Sequence, residues 1–128
     1  MSAGEGPKPG EIGWIDIAVA DAERLKDFYA RVAGWVAEPL AMGGYSDYVM
    51  TPPGSDKAAA GICHARGGNA DLPAQWLIYI TVADLDAAMA ECGELGGEIV
   101  AGPKGKEGSP RYCVIRDPAG AVATLYQP

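Results

Sequence analysis

Histidine is nearly missing from this chain: His64 is the only one in 128 residues. A stable divalent site needs three or four His, Cys or carboxylate donors converging at about 2 Å, so an imidazole-rich metal centre is excluded at the outset. Cysteine is sparse as well. Cys63, Cys92 and Cys113 are odd in number and show no CxxC spacing, which excludes a disulfide framework or a zinc knuckle and leaves reduced thiols as the expectation. No apolar run approaches membrane-spanning length. The first ten residues, MSAGEGPKPG, carry no apolar stretch of the kind a secretory leader needs, so residues 1–10 are expected to be a flexible lead-in and the protein cytoplasmic. Cations are outnumbered, with 10 Lys and Arg against 17 Asp and Glu. The resulting net charge of -7 opposes nucleic acid and anionic membrane surfaces, and favours cationic ligands by long-range steering.

What is present is ordinary globular composition, 48% apolar and 21% charged, arranged as a repeat. Val19-Ala20-Asp21 recurs as Val82-Ala83-Asp84, a displacement of 63, and from that anchor Gly34 falls on Gly97, Val36 on Ile99 and Ala37 on Val100. A chain of this length makes one domain that buries roughly two-thirds of its unfolded surface, and is too short for two independent cores. The expectation is a duplicated module sharing one core, with a pseudo-twofold cup.

The periodicity fills in each module. Glu11 to Val19 alternates as a strand with Ile15, Ile17 and Val19 on one face and Trp14, Asp16 and Ala18 on the other. Asp21 caps a helix in which Leu25, Phe28, Tyr29 and Val32 recur at helical spacing until Gly34 supplies a left-handed stop. Phe28, Tyr29 and Trp35 are expected to pack helix onto sheet. Strands are predicted over 35–38, 45–51 and 58–64, with the turn Pro52-Pro53-Gly54 between the last two. Polar, Gly- and Pro-containing residues 65–75 read as a linker. The order then repeats: a strand over 76–82, a helix capped by Asp84 with Leu85, Ala88, Met89, Cys92 and Leu95, and strands over 98–101, 112–116 and 121–127, the last after the turn Asp117-Pro118-Ala119-Gly120. Both halves read βαβββ, module one at 11–64 and module two at 76–128. The predicted class is α+β, with paired modules forming curved mixed sheets around a cup and helices outside.

This pattern resembles the vicinal-oxygen-chelate superfamily, which includes glyoxalase I, extradiol dioxygenases and bleomycin-resistance proteins. The carriers are VADAERLKDFYARVAGW in module one, with VADLDAAMAECGELGG and RDPAGAVATLY in module two. The likeness covers nearly the whole chain after residue 11, making 11–128 a single glyoxalase/bleomycin-resistance-like domain. In metal-using members, the resemblance implies, four inward side chains hold the ion, one from the first and one from the last strand of each module. The corresponding positions here are Trp14, Gly61, Leu77 and Thr124. None is a usual ligand, so neither a metal nor another cofactor is expected. The resemblance also implies a homodimer, since family members exchange modules between subunits.

Several other residues invite chemistry. Cys63-His64 could be a nucleophile and base, but neighbours on a strand point to opposite faces, and the alternative is a thiol lining the cup beside a strand-end imidazole. Asp16 has inward parity and is the best candidate for a catalytic base or a cation-binding carboxylate; the plainer reading is an ion pair or a wet rim. Tyr79 and Tyr126 share the inward parity of Leu77 and Thr124, and with Trp14 they suit a planar, partly apolar small molecule. Residues 102–110, GPKGKEGSP, read as a mobile lip, where Lys104, Lys106 and Arg111 could attract an anionic group or simply be solvated. The expected ligand-binding set is Trp14, Asp16, Gly61, Cys63, Leu77, Tyr79, Thr124 and Tyr126. The expected function is metal-independent binding of a small organic molecule. A lactoylglutathione lyase-like or dioxygenase-like enzyme, and a regulatory module with a vestigial cup, are the alternatives.

Overall fold

The computed structural model of the protein describes residues 6–67, 70–106 and 108–128. Residues 1–5 of the expected lead-in, 68 and 69 of the linker and 107 of the lip lie outside the described residues. The chain divides into two compact units, Ile15–Trp76 and Met1–Trp14 with Leu77–Pro128.

In the first unit, strand β1 (Ile12–Val19, of which residues 15–19 belong here) leads to helix α1 (Ala22–Val32) and strands β2 (Val36–Ala41), β3 (Ser46–Thr51) and β4 (Ala60–His64). The sheet order is β2-β3-β4-β1: β2 pairs β3 and β3 pairs β4 antiparallel, while β4 pairs β1 in parallel. Helix α1 starts where Asp21 accepts a hydrogen bond from the Arg24 N–H at 3.0 Å, a side-chain cap for an otherwise orphaned donor. It stops before Gly34, whose φ of +76° only glycine adopts without strain. Ala22, Leu25 and Tyr29 turn towards the sheet and pack with Ile17, Met50, Ile62, Trp35 and Trp76. Trp76 donates from Nε1 to the Tyr29 hydroxyl at 3.2 Å. Phe28 departs from expectation: it is 52% exposed and touches Tyr29 only edge-on, with ring centroids 5.1 Å apart. One residue is a step of about 100° around a helix, which carries Phe28 off the face that Tyr29 buries.

The second unit repeats the plan with β5 (Leu77–Thr81), α2 (Leu85–Glu94), β6 (Glu98–Lys104), β7 (Arg111–Arg116) and β8 (Val122–Gln127). Strand β6 pairs β7 and β7 pairs β8 antiparallel, and β8 pairs β5 in parallel. Asp84 caps α2 through the Ala87 N–H at 3.1 Å, and Leu85, Cys113 and Leu125 form the core with Ile80, Val82, Ala88, Met89 and Ile115. The repeat is therefore βαβββ twice, each unit carrying a mixed four-stranded sheet with its helix packed on it. Even the register is shared: Asp16 faces Gly61 across β1 and β4, and Tyr79 faces Thr124 across β5 and β8, each pair displaced by the same 63.

Strands β2 and β6 run further than the sequence pattern predicts, through Pro39 and Pro103. Each pairs with a single neighbour in its unit, so a residue without an N–H can be accommodated there. The expected lip at 102–110 is accordingly shorter, because Gly102, Pro103 and Lys104 belong to β6.

Candidate functional site

The core assignments fix which way each strand presents its side chains. In the second unit Ile80 and Leu125 pack against α2, so Leu77, Tyr79 and Thr81 of β5 and Val122, Thr124 and Tyr126 of β8 turn to the other face. On that face lies a cavity of about 330 Å³ lined by Pro7, Gly13, Trp14, Tyr79, Thr81 and Tyr126. The Tyr79 and Tyr126 ring centroids are 6.5 Å apart with the planes inclined at 58°. Residues 7–14 reach the cavity because they are tied down. The Gly10 N–H donates to the Thr81 carbonyl at 2.7 Å, the Thr81 N–H to the Glu11 carbonyl at 2.8 Å, and Lys8 N–H to the Glu11 carboxylate at 2.6 Å.

Of the eight residues the sequence singles out, Trp14, Tyr79 and Tyr126 line this cavity together. Leu77 and Thr124 are fully buried on the same sheet face and are not among its lining residues. Thr81 escaped sequence reasoning, although its parity with Tyr79 is the signal that could have found it. It is 2% exposed, and neither its hydroxyl nor that of Thr124 has a hydrogen-bond partner among the described residues.

Asp16, Gly61 and Cys63 belong to the first unit, on the sheet face turned away from α1. Register places Asp16 opposite Gly61 and Ala18 opposite Cys63. A second carboxylate missed in the sequence joins them. Asp47, 6% exposed, accepts the His64 backbone N–H at 2.8 Å and a hydrogen bond from the Cys63 thiol. Burial first, and then the negative charges of Asp16 and Asp47, push the Cys63 thiol up to about 12. At neutral pH it is a hydrogen-bond donor and no nucleophile. The His64 ring approaches the same carboxylate, with Nδ1 3.5 Å from Asp47 Oδ1, too long for a formed hydrogen bond, and lies edge-on to Tyr45 at 5.4 Å.

Trp14, Gly61, Leu77 and Thr124, the positions to which the family resemblance would assign an ion, offer an indole, a bare glycine, an isobutyl group and one neutral hydroxyl. That donor set does not fit a divalent metal. Among the described residues no three His, Cys, Asp or Glu side chains are grouped to hold an ion. Around the lip, Arg111 makes paired hydrogen bonds of 3.2 and 3.3 Å to the Asp86 carboxylate, and Lys104 lies 5.8 Å from the centre of the Tyr112 ring.

Among the described residues no helix is long and apolar enough to cross a membrane. The chain is 28% identical over 130 residues to anthracycline biosynthesis protein DnrV of Streptomyces peucetius, and 27% identical over 130 residues to protein DauV of Streptomyces sp. strain C5. Each alignment covers 93% of this chain and 47% of the relative, so the chain spans about half the length of these proteins. Among solved structures, a methylmalonyl-CoA epimerase variant of Streptomyces coelicolor superposes with a TM-score of 0.54 at 18% identity, covering 94% of this chain and 98% of that one. A superfamily member from Vibrio splendidus 12B01 superposes with a TM-score of 0.58 at 12% identity, covering 90% and 97%. These likenesses show a common fold. The family model for the Glyoxalase/Bleomycin resistance protein/Dioxygenase superfamily matches residues 11–124, and the chain belongs to that superfamily.

Proposed function

We propose that the protein binds a small planar organic molecule in the cavity lined by Trp14, Tyr79 and Tyr126, without a metal ion. The observation that carries this reading is the convergence of three aromatic side chains on a space of about 330 Å³. That is the low end of the size range of small-molecule sites, about 300–1,000 Å³. Ring faces of this kind hold flat apolar ligands by offset or edge-on contact, and the tyrosine hydroxyls add polar tips. The relatives DnrV and DauV are named for anthracycline biosynthesis, and an anthracycline is a fused-ring aromatic, which is consistent with such a ligand. The lyase-like and dioxygenase-like alternatives would call for metal donors that positions 14, 61, 77 and 124 lack. On the family resemblance, the working form is a cytoplasmic homodimer.

A thermal-shift series with 9-fluorenone, a flat tricyclic ketone, tests the reading. Ligand that binds only the folded chain raises the melting temperature progressively with concentration, by mass action. An unchanged midpoint up to the solubility limit contradicts it.

A further inference from the structure

We infer that this cavity takes an organic cation, a flat molecule that carries a quaternary or tertiary alkylammonium group; this rests on the binding reading above and names the ligand's class. Trp14, Tyr79 and Tyr126 are each half-buried and line one space of about 330 Å³. The face of an aromatic ring is the negative pole of its quadrupole, and it attracts a cation within about 6 Å of the ring centre, indole most strongly. The Tyr79 and Tyr126 centroids are 6.5 Å apart with planes inclined at 58°, so one cation can lie within that reach of both. Pro7, Gly13 and Thr81 complete the lining, and none of the six residues carries a charge. No lining Lys or Arg therefore opposes a cation. The chain's net charge of -7 adds a long-range attraction for a ligand of the same sign.

The lining also narrows the kind of cation. A primary ammonium brings three N–H donors, each of which needs an acceptor once water is removed. A methylated nitrogen spreads its charge over alkyl groups and exchanges water for ring faces at lower cost. The fold itself does not demand rings at these places. The displacement of 63 carries Asp16 onto Tyr79 and Cys63 onto Tyr126, and the first unit builds the matching β1–β4 pairing with a carboxylate and a thiol there. The aromatic pair is thus present in one module and absent from its repeat, as expected of a feature serving a ligand.

Isothermal titration of the full chain at pH 6 with (4-hydroxyphenyl)trimethylammonium and with 4-tert-butylphenol tests the assignment. The two probes differ only in nitrogen for carbon at the head, and hence in charge. The cation is expected to bind about tenfold tighter. It should keep that preference in about 1 M NaCl, where attraction to the acidic surface is screened within about 3 Å. Tyr126→Leu should reduce the preference, and Tyr126→Phe should keep it because a phenyl ring retains the negative face. Trp14→Leu is the second variant should the first fail to fold. Equal affinities in the wild type, or tighter binding of the phenol, overturn the cation inference and leave the cavity as a site for neutral flat molecules. A preference that salt removes, or that both leucine variants leave unchanged, overturns it likewise. Binding of neither probe while 9-fluorenone still raises the melting temperature overturns this inference alone; if 9-fluorenone fails as well, both readings fall.

Discussion

Cys63 is a neutral thiol because burial disfavours its charged form and its neighbours are acidic. With its ionisation pushed up to about 12 by burial and by Asp16 and Asp47, native protein treated with iodoacetamide at pH 8 should remain unlabelled at Cys63, as peptide mapping would show. Labelling at the rate of a free thiol would refute the arrangement. The sign of the linkage is fixed as well. The folded-state value lies above the unfolded one near 9.0, so the stabilisation is complete below that pH and is lost as pH rises towards 12. Denaturation midpoints should therefore fall at alkaline pH, and fall less in Cys63→Ala. Asp47→Ala should cost about 1 kcal/mol in a urea titration, because it removes the acceptor of the half-buried His64 N–H. The pair Cys63-His64 was legible in the sequence; that both side chains approach one carboxylate, Asp47, was not. An aspartate near a strand end reads as solvated until the pairing of Tyr48 with Ile62 brings it beside Cys63.

Elements were more legible than contacts. Both helices begin at the aspartates the sequence marks, Asp21 and Asp84, and α1 ends before Gly34. Caps and left-handed glycines act within a few residues, so their signal is local. Asp21→Ala should lower stability by about 1 kcal/mol through loss of the bond to the Arg24 N–H. Gly34→Ala should cost roughly 1–2 kcal/mol through its positive φ alone, because a Cβ there meets no atom within 4 Å. Thermal or chemical denaturation of the two variants would check both. The lengths of β2 and β6 were illegible, because proline excludes a central strand position and is permitted where one side of the ladder is free. The exposure of Phe28 was missed because helical spacing marks a stripe and does not say which edge of it the sheet covers.

At the scale of the whole molecule, the sequence repeat proved to be structural: the displacement of 63 carries β1–β4 pairing onto β5–β8 pairing, residue for residue. The same displacement carries Asp16 onto Tyr79 and Cys63 onto Tyr126, so the duplicated strands present carboxylate and thiol in one unit and aromatic rings in the other. Family membership follows from the pattern, whereas the cavity does not. It depends on residues 7–14 lying against β5, where backbone hydrogen bonds at Gly10 and Glu11 leave no trace in side-chain periodicity. The central claim is metal-free binding of a flat aromatic molecule beside Trp14, Tyr79, Thr81 and Tyr126. Its most direct test is an NMR titration of the full chain with 9-fluorenone in the presence of EDTA. Saturable shifts concentrated at the Trp14 indole N–H, the Thr81 methyl and the rings of Tyr79 and Tyr126 are the predicted result. Shifts confined to the strands around Asp16 and Cys63, or binding that the chelator abolishes, would contradict it.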